Sequence, residues 1–128
     1  MSELRSGIDL IEVKRLALAY STFGERFLNR IYDDSEIKQF HAKSERAKPY
    51  YLAKNFAAKE AVSKVFGYGF TNGVRAKDIV ILRKYGGPIV VLNGRAKAIA
   101  KSQGLSEISL SISDTDILAT AVAVAKRS

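Results

Sequence analysis

The stretch that most constrains this chain is Ile108-Ser109-Leu110-Ser111-Ile112-Ser113, where apolar and small polar residues alternate without a break. Side chains along a strand point to opposite faces of its sheet, so this period of two predicts a strand with one buried and one open face. Asp114-Thr115-Asp116 then reads as a turn, and residues 117–125 as a returning strand of small and β-branched residues. Ile79-Val80-Ile81-Leu82 and Ile89-Val90-Val91-Leu92 read as a second strand pair, joined by a turn through Gly86-Gly87-Pro88. The short apolar run Ile8, Leu10, Ile11 and Val13 suggests one more strand near the start of the chain.

Between these strands the apolar spacing becomes helical. Val13, Leu16, Ala17 and Tyr20 continue straight out of the first strand, and Phe27, Leu28 and Ile31 resume the pattern after Gly24. Asp33-Asp34-Ser35-Glu36 looks like a helix start, with Asp33 or Asp34 as cap and Glu36 as an acid of the first turn. The longest helix is expected from about Pro49 to Gly67, with an apolar stripe of Leu52, Ala53, Phe56, Ala57, Ala61 and Val65. Gly67-Tyr68-Gly69 supplies its stop. Ala96, Ile99 and Ala100 mark a short helix closed by Gly104. Helices early and strand pairs late indicate an α+β fold, an antiparallel sheet packed with helices, with residues 1–128 forming one domain.

Composition narrows the chemistry. The chain has no cysteine, which removes disulfides, thiol catalysis and thiolate zinc sites. It has no apolar run of about 18 residues that could span a membrane, and Met1-Ser2-Glu3-Leu4-Arg5 is not an apolar signal segment, so a cytoplasmic location is expected. Twenty-one basic against thirteen acidic residues give a net charge of +8. From Ile37 to Lys77 alone there are nine Lys and Arg against only Glu45 and Glu60, a surplus of seven. Such a field suits nucleic acid, a phosphate-rich cofactor or an acidic protein, or is simply a solvated basic surface.

Two carboxylates stand out. Phe56, Glu60 and Lys64 lie four residues apart in turn, on one line of the long helix, with Ala57, Ala61 and Val65 beside it. Glu60 therefore sits within or beside a buried stripe, where a carboxylate needs a partner, either a neighbouring lysine or a metal. Asp9 poses the same problem inside an apolar strand, two residues after Gly7; an edge-strand Asp pointing to water is the plainer reading. With no cysteine and one histidine, the pair Asp9 and Glu60 fits a hard, oxygen-seeking cation such as magnesium. Magnesium binds through one or two carboxylates and substrate phosphates, which suggests phosphoryl or phosphodiester chemistry. Neither a Gly-x-x-x-x-Gly-Lys phosphate loop nor a Gly-x-Gly-x-x-Gly dinucleotide motif is present, and His41 lies on a polar segment as an expected surface residue.

The same residues fall into a known pattern. Gly7-Ile8-Asp9-Leu10-Ile11-Glu12-Val13-Lys14-Arg15-Leu16 and Phe56-Ala57-Ala58-Lys59-Glu60-Ala61-Val62-Ser63-Lys64, followed by Gly67-x-Gly69, resemble the two signature motifs of holo-[acyl-carrier-protein] synthase, the small trimeric class of 4′-phosphopantetheinyl transferases. Gly86-Gly87-Pro88 and Ser111-Ile112-Ser113-Asp114-Thr115 are similar to two more of its segments, so the resemblance runs from about residue 7 to 124. It implies a 4′-phosphopantetheinyl transferase-like fold and transfer of the phosphopantetheine arm of coenzyme A to a serine of apo-acyl carrier protein, releasing adenosine 3′,5′-bisphosphate, a step of fatty acid biosynthesis. On that resemblance Asp9 and Glu60 hold Mg2+, Lys64 contacts phosphates and shares in catalysis, and Gly67, Pro88, Ser111 and Asp114 lie along the cofactor. Arg15, Arg26 and Arg30 meet the acidic carrier protein, and the chain is a homotrimer with each site between subunits. It implies neither a nucleic acid nor a membrane partner.

Three positions depart from the family's usual residues: Asp114 replaces histidine, Asn55 replaces arginine before Phe56, and Gly87 replaces lysine before Pro88. All three make the expected nucleotide site less positive. They motivate the alternative of a catalytically weak or silent relative that only binds carrier protein or nucleotide.

Overall fold

The computed structural model describes residues 3–67, 69–70 and 73–127. Strand β1 (Glu3–Glu12) runs without a loop into helix α1 (Val13–Phe23), as the change of period from two to helical spacing predicts. Three helices follow: α2 (Glu25–Ile31), α3 (Asp34–His41) and the long α4 (Lys48–Val65). A single 3-10 turn (Ala76–Asp78) leads to β2 (Ile79–Lys84) and β3 (Gly87–Leu92), then α5 (Gly94–Ser102), β4 (Leu105–Asp114) and β5 (Leu118–Arg127). The expected strands, helices and α+β class are all present.

The main sheet has the order β1-β5-β4, antiparallel throughout, and β2-β3 forms a separate two-stranded sheet. The alternation in β5 turns Ala119, Ala121, Ala123 and Ala125 inward, all buried, while Val122 and Val124 face out. That ladder of methyl groups lets α4 lie close on the sheet with its own Ala57, Ala58 and Ala61. On the neighbouring strand Gly7 completes the contact: a Cβ there would overlap the Ala61 carbonyl oxygen and come within 2.9 Å of Lys64 Cβ. The glycine is thus required by proximity, not by its backbone angles.

Helix α4 is buried on nearly every side, between the sheet, α1, α3 and β2, so it is the axis of the core. It crosses the sheet diagonally. Near its start, the Tyr50 hydroxyl donates to the Asp116 carbonyl (3.0 Å) beside the β4–β5 turn. Near its end, Lys64 reaches β1. Two details differ from expectation. The turn between β2 and β3 is Tyr85-Gly86, both at positive φ, as tight hairpins with right-handed strand twist require. Gly87 and Pro88 already belong to β3, opposite Lys84 and Arg83. Asp114 ends β4 and is paired with Ala119, so it is not part of the turn. Tyr68 lies outside the described residues.

Candidate active site

Asp9 and Glu60 come from different elements and are brought together by the glycine contact. Asp9 is on the inward face of the edge strand β1, between Gly7 and Ile11, with its side chain 18% exposed. Glu60 sits one turn before Lys64 on α4 and is half-buried. Burial and the nearby Asp9 carboxylate push the Glu60 pKa up, against the pull of Lys64 and Arg15. The two acids therefore repel each other, and the site is built to receive positive charge. Lys64 supplies part of it: its ammonium donates to the Ile8 carbonyl (2.8 Å) and lies 3.4 Å from Asp9 Oδ1, with the side chain 47% exposed. A hollow of about 440 Å3 runs from Lys64 over Ser6 and Gly7 to Ile8 and Val122. Among the described residues no group of three or more His, Cys, Asp or Glu is placed to hold a metal ion, and Asp9 and Glu60 stand as a pair.

The other expected site residues lie elsewhere. Pro88 and Asp114 line a hollow of about 370 Å3 between the β2–β3 hairpin and β4. A larger one, about 470 Å3, opens at the start of α4 and shares Lys54, Arg83 and Asp114 with the first. The Asp114 carboxylate is 3.9 Å from the Lys54 ammonium, so the charge that replaces histidine is partly offset locally. These hollows are at the β4 edge, whereas Asp9 is at the β1 edge with β5 between. From Lys54 to Lys64 alone the helix rises about 15 Å, so one chain does not bring the two groups together. Ser111 points away from both hollows, on the exposed face of β4 opposite Val122. Gly67 follows α4 at φ 87°, its N–H donating to the Lys64 carbonyl (3.0 Å), a helix stop one turn from the carboxylates.

Arg15, Arg26 and Arg30 are all exposed. Arg15 is near enough to Glu60 to lower its pKa. Arg26 and Arg30 flank a hollow of about 270 Å3 with Ala19, Phe23 and Phe27, and Leu18 and Phe23 are exposed beside them. An apolar pit rimmed by cations is suited to an apolar side chain on an acidic helix. His41 is exposed, as expected, 3.5 Å from a Glu25 carboxylate oxygen.

A buried polar network was not foreseen. Lys59 and Glu36 are both fully buried and pair at 2.6 Å. The Lys59 ammonium also donates to the carbonyls of Ala76 (2.9 Å) and Ile79 (2.6 Å). Glu36 accepts from the Asp33 backbone N–H (2.9 Å), closing a capping box for α3, and from Asn55 Nδ2 (3.0 Å). Burial raises the Glu36 pKa and lowers that of Lys59, while their contact works against both shifts. Asn55 also donates to the Ile81 carbonyl (3.0 Å). It is therefore a core residue that ties α4 to α3 and β2. The Asp33-x-x-Glu36 spacing was the available signal for the box; nothing local announced its buried partner.

Comparisons with known proteins identify the family and the fold. A sequence model described as the 4′-phosphopantetheinyl transferase superfamily matches residues 5–122. The chain is 41% identical over 122 residues to the holo-[acyl-carrier-protein] synthase of Vibrio cholerae serotype O1 (strain M66-2), covering 94% of this chain and 95% of that one. The crystal structure of holo-[acyl-carrier-protein] synthase from Neisseria meningitidis superimposes with a TM-score of 0.84 at 34% identity, covering 94% of this chain and 96% of that one. The Helicobacter pylori enzyme, solved in complex with coenzyme A, gives 0.80 at 29% identity over 94% and 98%. With its two signature motifs meeting at Gly7, Asp9, Glu60 and Lys64, the chain belongs to the 4′-phosphopantetheinyl transferase superfamily, among the holo-[acyl-carrier-protein] synthases.

Proposed function

We propose that this enzyme transfers the phosphopantetheine arm of coenzyme A to a serine of an acidic apo-acyl carrier protein, with magnesium, releasing adenosine 3′,5′-bisphosphate. The observation that carries the reading is the Asp9–Glu60 pair with Lys64 at its side. Two mutually repelling, partly buried carboxylates fit magnesium, which takes one or two such ligands and fills its remaining positions with water and phosphate oxygens. Bound there, magnesium would neutralise charge on the pyrophosphate under attack. Lys64, half-exposed and held by the Ile8 carbonyl and the Asp9 edge, borders the hollow over Ser6 and Gly7 and is placed to turn towards phosphate oxygens beside the pair. As the serine oxygen bonds to phosphorus, the bond to the nucleotide's phosphate breaks and the bisphosphate leaves. Gly67, Pro88, Ser111 and Asp114 line the path of the cofactor, and Arg15, Arg26 and Arg30 receive the carrier protein.

A homotrimer completes this reading. The outer sheet face exposes Leu4, Ile8 and Leu10 of β1 next to Val122 and Val124 of β5, with Ile8 directly opposite Val122. Ile8 and Leu10 are each 63% exposed, an apolar stripe that a second copy of the chain would cover. Ser111 lies on that face, so it would be offered to a neighbour's site. The separation of the carboxylate pair from the Asp114 hollows then follows, because one coenzyme A lies between two copies. Lys54 beside Asp114 favours the catalytic reading over a silent binding protein. The carrier protein is expected to be that of fatty acid synthesis in the cytoplasm. The decisive experiment is the intact mass of apo-acyl carrier protein incubated with the enzyme, coenzyme A and magnesium. A gain of one phosphopantetheine arm, abolished by chelator, supports the reading; no gain from folded enzyme across several carrier proteins rejects it.

A further inference from the structure

Lys64 is a poor anchor for α4 on β1. Its ammonium holds the Ile8 carbonyl (2.8 Å), yet the proposed reaction needs that ammonium on phosphate oxygens. When it turns, another contact must keep Glu60 in register with Asp9. Arg5 is placed to be that contact. It lies two residues before Gly7 and four before Asp9, so all three share the inward face of β1. Each meets a different part of the last turns of α4. Asp9 faces Lys64 (3.4 Å), Gly7 leaves room for Ala61 and Lys64, and Arg5 Nη1 donates to the Val65 carbonyl (3.3 Å). A methyl group on Gly67 would lie 3.7 Å from that nitrogen, so Arg5 also borders the turn that follows the helix.

Arg5 is itself held in a closed circuit. Its Nε donates to Glu3 Oε1 (3.2 Å), and the same oxygen accepts from Arg127 Nη1 (2.9 Å). Arg127 Nε donates to the Gln103 carbonyl (3.0 Å), and Gln103 Nε2 donates to the Phe66 carbonyl (2.9 Å). The circuit thus runs from Val65 through Arg5, Glu3, Arg127 and Gln103 to Phe66, and joins β1, β5 and the end of α5 to the end of α4. The two arginines, Arg127 above all, lower the Glu3 pKa, so the link between them stays ionised at neutral pH. The last carbonyls of a helix have no partner within it, and a cation there also meets the negative end of the helix dipole. None of these four side chains has a part in the chemistry proposed above.

We propose that Arg5 is a positioning residue for the transfer: with Gln103 it pins the end of α4, and so keeps Glu60 and Lys64 opposite Asp9 while the Lys64 ammonium is engaged elsewhere. The inference rests on the transferase reading above and deepens it.

The test compares the full-length wild type with Arg5→Met, Arg5→Lys and Gln103→Leu. Arg5→Met keeps an unbranched stem but donates nothing. Its kcat should fall about tenfold, since a displacement of about 1 Å costs on the order of 100-fold. Its KM for carrier protein should not change, because Arg15, Arg26 and Arg30 are untouched. Gln103→Leu frees the Phe66 carbonyl and should act in the same direction, less strongly. Arg5→Lys still pairs with Glu3 and reaches towards Val65, so it should recover most of kcat. The melting temperature of Arg5→Met should fall by about 5 °C or less, because the lost bonds are partly exposed. A purely structural Arg5 would lower the melting temperature and leave kcat of the folded enzyme alone. Wild-type kcat in Arg5→Met, or an Arg5→Lys no better than Arg5→Met, overturns the proposal. Amide hydrogen exchange reads the pinning without the reaction. Arg5→Met should speed exchange at residues 65–67 about tenfold, the worth of one hydrogen bond to a charged group, and leave residues 51–58 unchanged. Unchanged exchange at 65–67 overturns the proposal as well. A wild type that modifies no carrier protein, together with faster exchange in Arg5→Met, would refute the transferase reading and leave Arg5 as the pin of α4.

Discussion

Gly7→Ala is the sharpest perturbation that the packing allows, because it adds one methyl group between the two motifs. The new Cβ would overlap the Ala61 carbonyl oxygen and lie 2.9 Å from Lys64 Cβ. Non-bonded heavy atoms in contact sit at about 3.5–4.0 Å, and the overlap with the carbonyl oxygen is the severer of the two, so β1 and α4 must part by about 1 Å or more. Neither neighbour can yield cheaply: one is helix backbone at the centre of the core, and the other is the root of the Lys64 side chain. Overpacking of this kind costs about 1–3 kcal/mol, and the protein should stay folded. Asp9 is two residues along the displaced strand, and Glu60 and Lys64 are on the helix it leaves. A displacement of about 1 Å in a reacting constellation costs on the order of 100-fold in rate. The expected result is a kcat reduced about 100-fold, read from the mass of modified carrier protein over time. Its melting temperature should fall only modestly. A Gly7→Ala enzyme with wild-type kcat would show that the contact of β1 with α4 does not set the carboxylate geometry.

Glu60→Gln should abolish transfer yet melt no lower than the wild type in chelator, since it relieves the repulsion with Asp9; an unchanged rate would refute the metal assignment. Lys59→Met leaves Glu36 buried without its cation and should cost about 3–5 kcal/mol, seen as a fall in melting temperature of about 10 °C or more. Because burial raises the Glu36 pKa in the folded state, that variant binds more protons folded than unfolded above pH 4.5, so its stability should decline as pH rises towards neutrality; equal melting at pH 5 and pH 8 would contradict this. Arg26→Glu should raise the KM for carrier protein about tenfold, with kcat and the KM for coenzyme A unchanged, and the effect should shrink with added salt; salt-independent loss would argue against docking at α2.

What the sequence made legible was periodicity and neighbourhood along the chain. The serine alternation of β4, the strand that becomes a helix at Val13, and the line from Phe56 through Glu60 to Lys64 all follow from spacings within one element. Asp9 and Glu60 stand out because each is a carboxylate in an apolar setting, and the fold brings the two close enough to repel. Residues whose meaning depends on a distant partner were not legible. Glu36 has the ordinary look of a first-turn acid, and only the fold shows Lys59, 23 positions away, at 2.6 Å. Asn55 looks like a lost cofactor contact, whereas its amide holds Glu36 and the Ile81 carbonyl in the core. Glycine and proline punctuate chains, so the sequence puts Pro88 in a turn, yet Tyr85-Gly86 takes the positive φ angles and leaves proline to the strand.

The diagonal course of α4 makes a testable demand on the assembly. It holds Glu60 and Lys64 at the β1 edge and Lys54 at the β4 edge, so a copy damaged at one end keeps the other end intact. If each reaction centre takes its carboxylate pair from one copy and its nucleotide hollow from the next, two inactive variants should rescue each other. Glu60→Ala removes the pair. Lys54→Glu sets a second acid beside Asp114 and spoils the hollow. In a closed ring with one kind of interface, each centre draws one copy for each half. After co-refolding of equal amounts, about one centre in four should combine an intact pair with an intact hollow, restoring about a quarter of wild-type activity. The unmixed variants should stay inactive under the same treatment. A refolded mixture no more active than its parents would place both halves of the site within one chain, and the separation across β5 would then have to be closed by movement of α4 instead of by a neighbour.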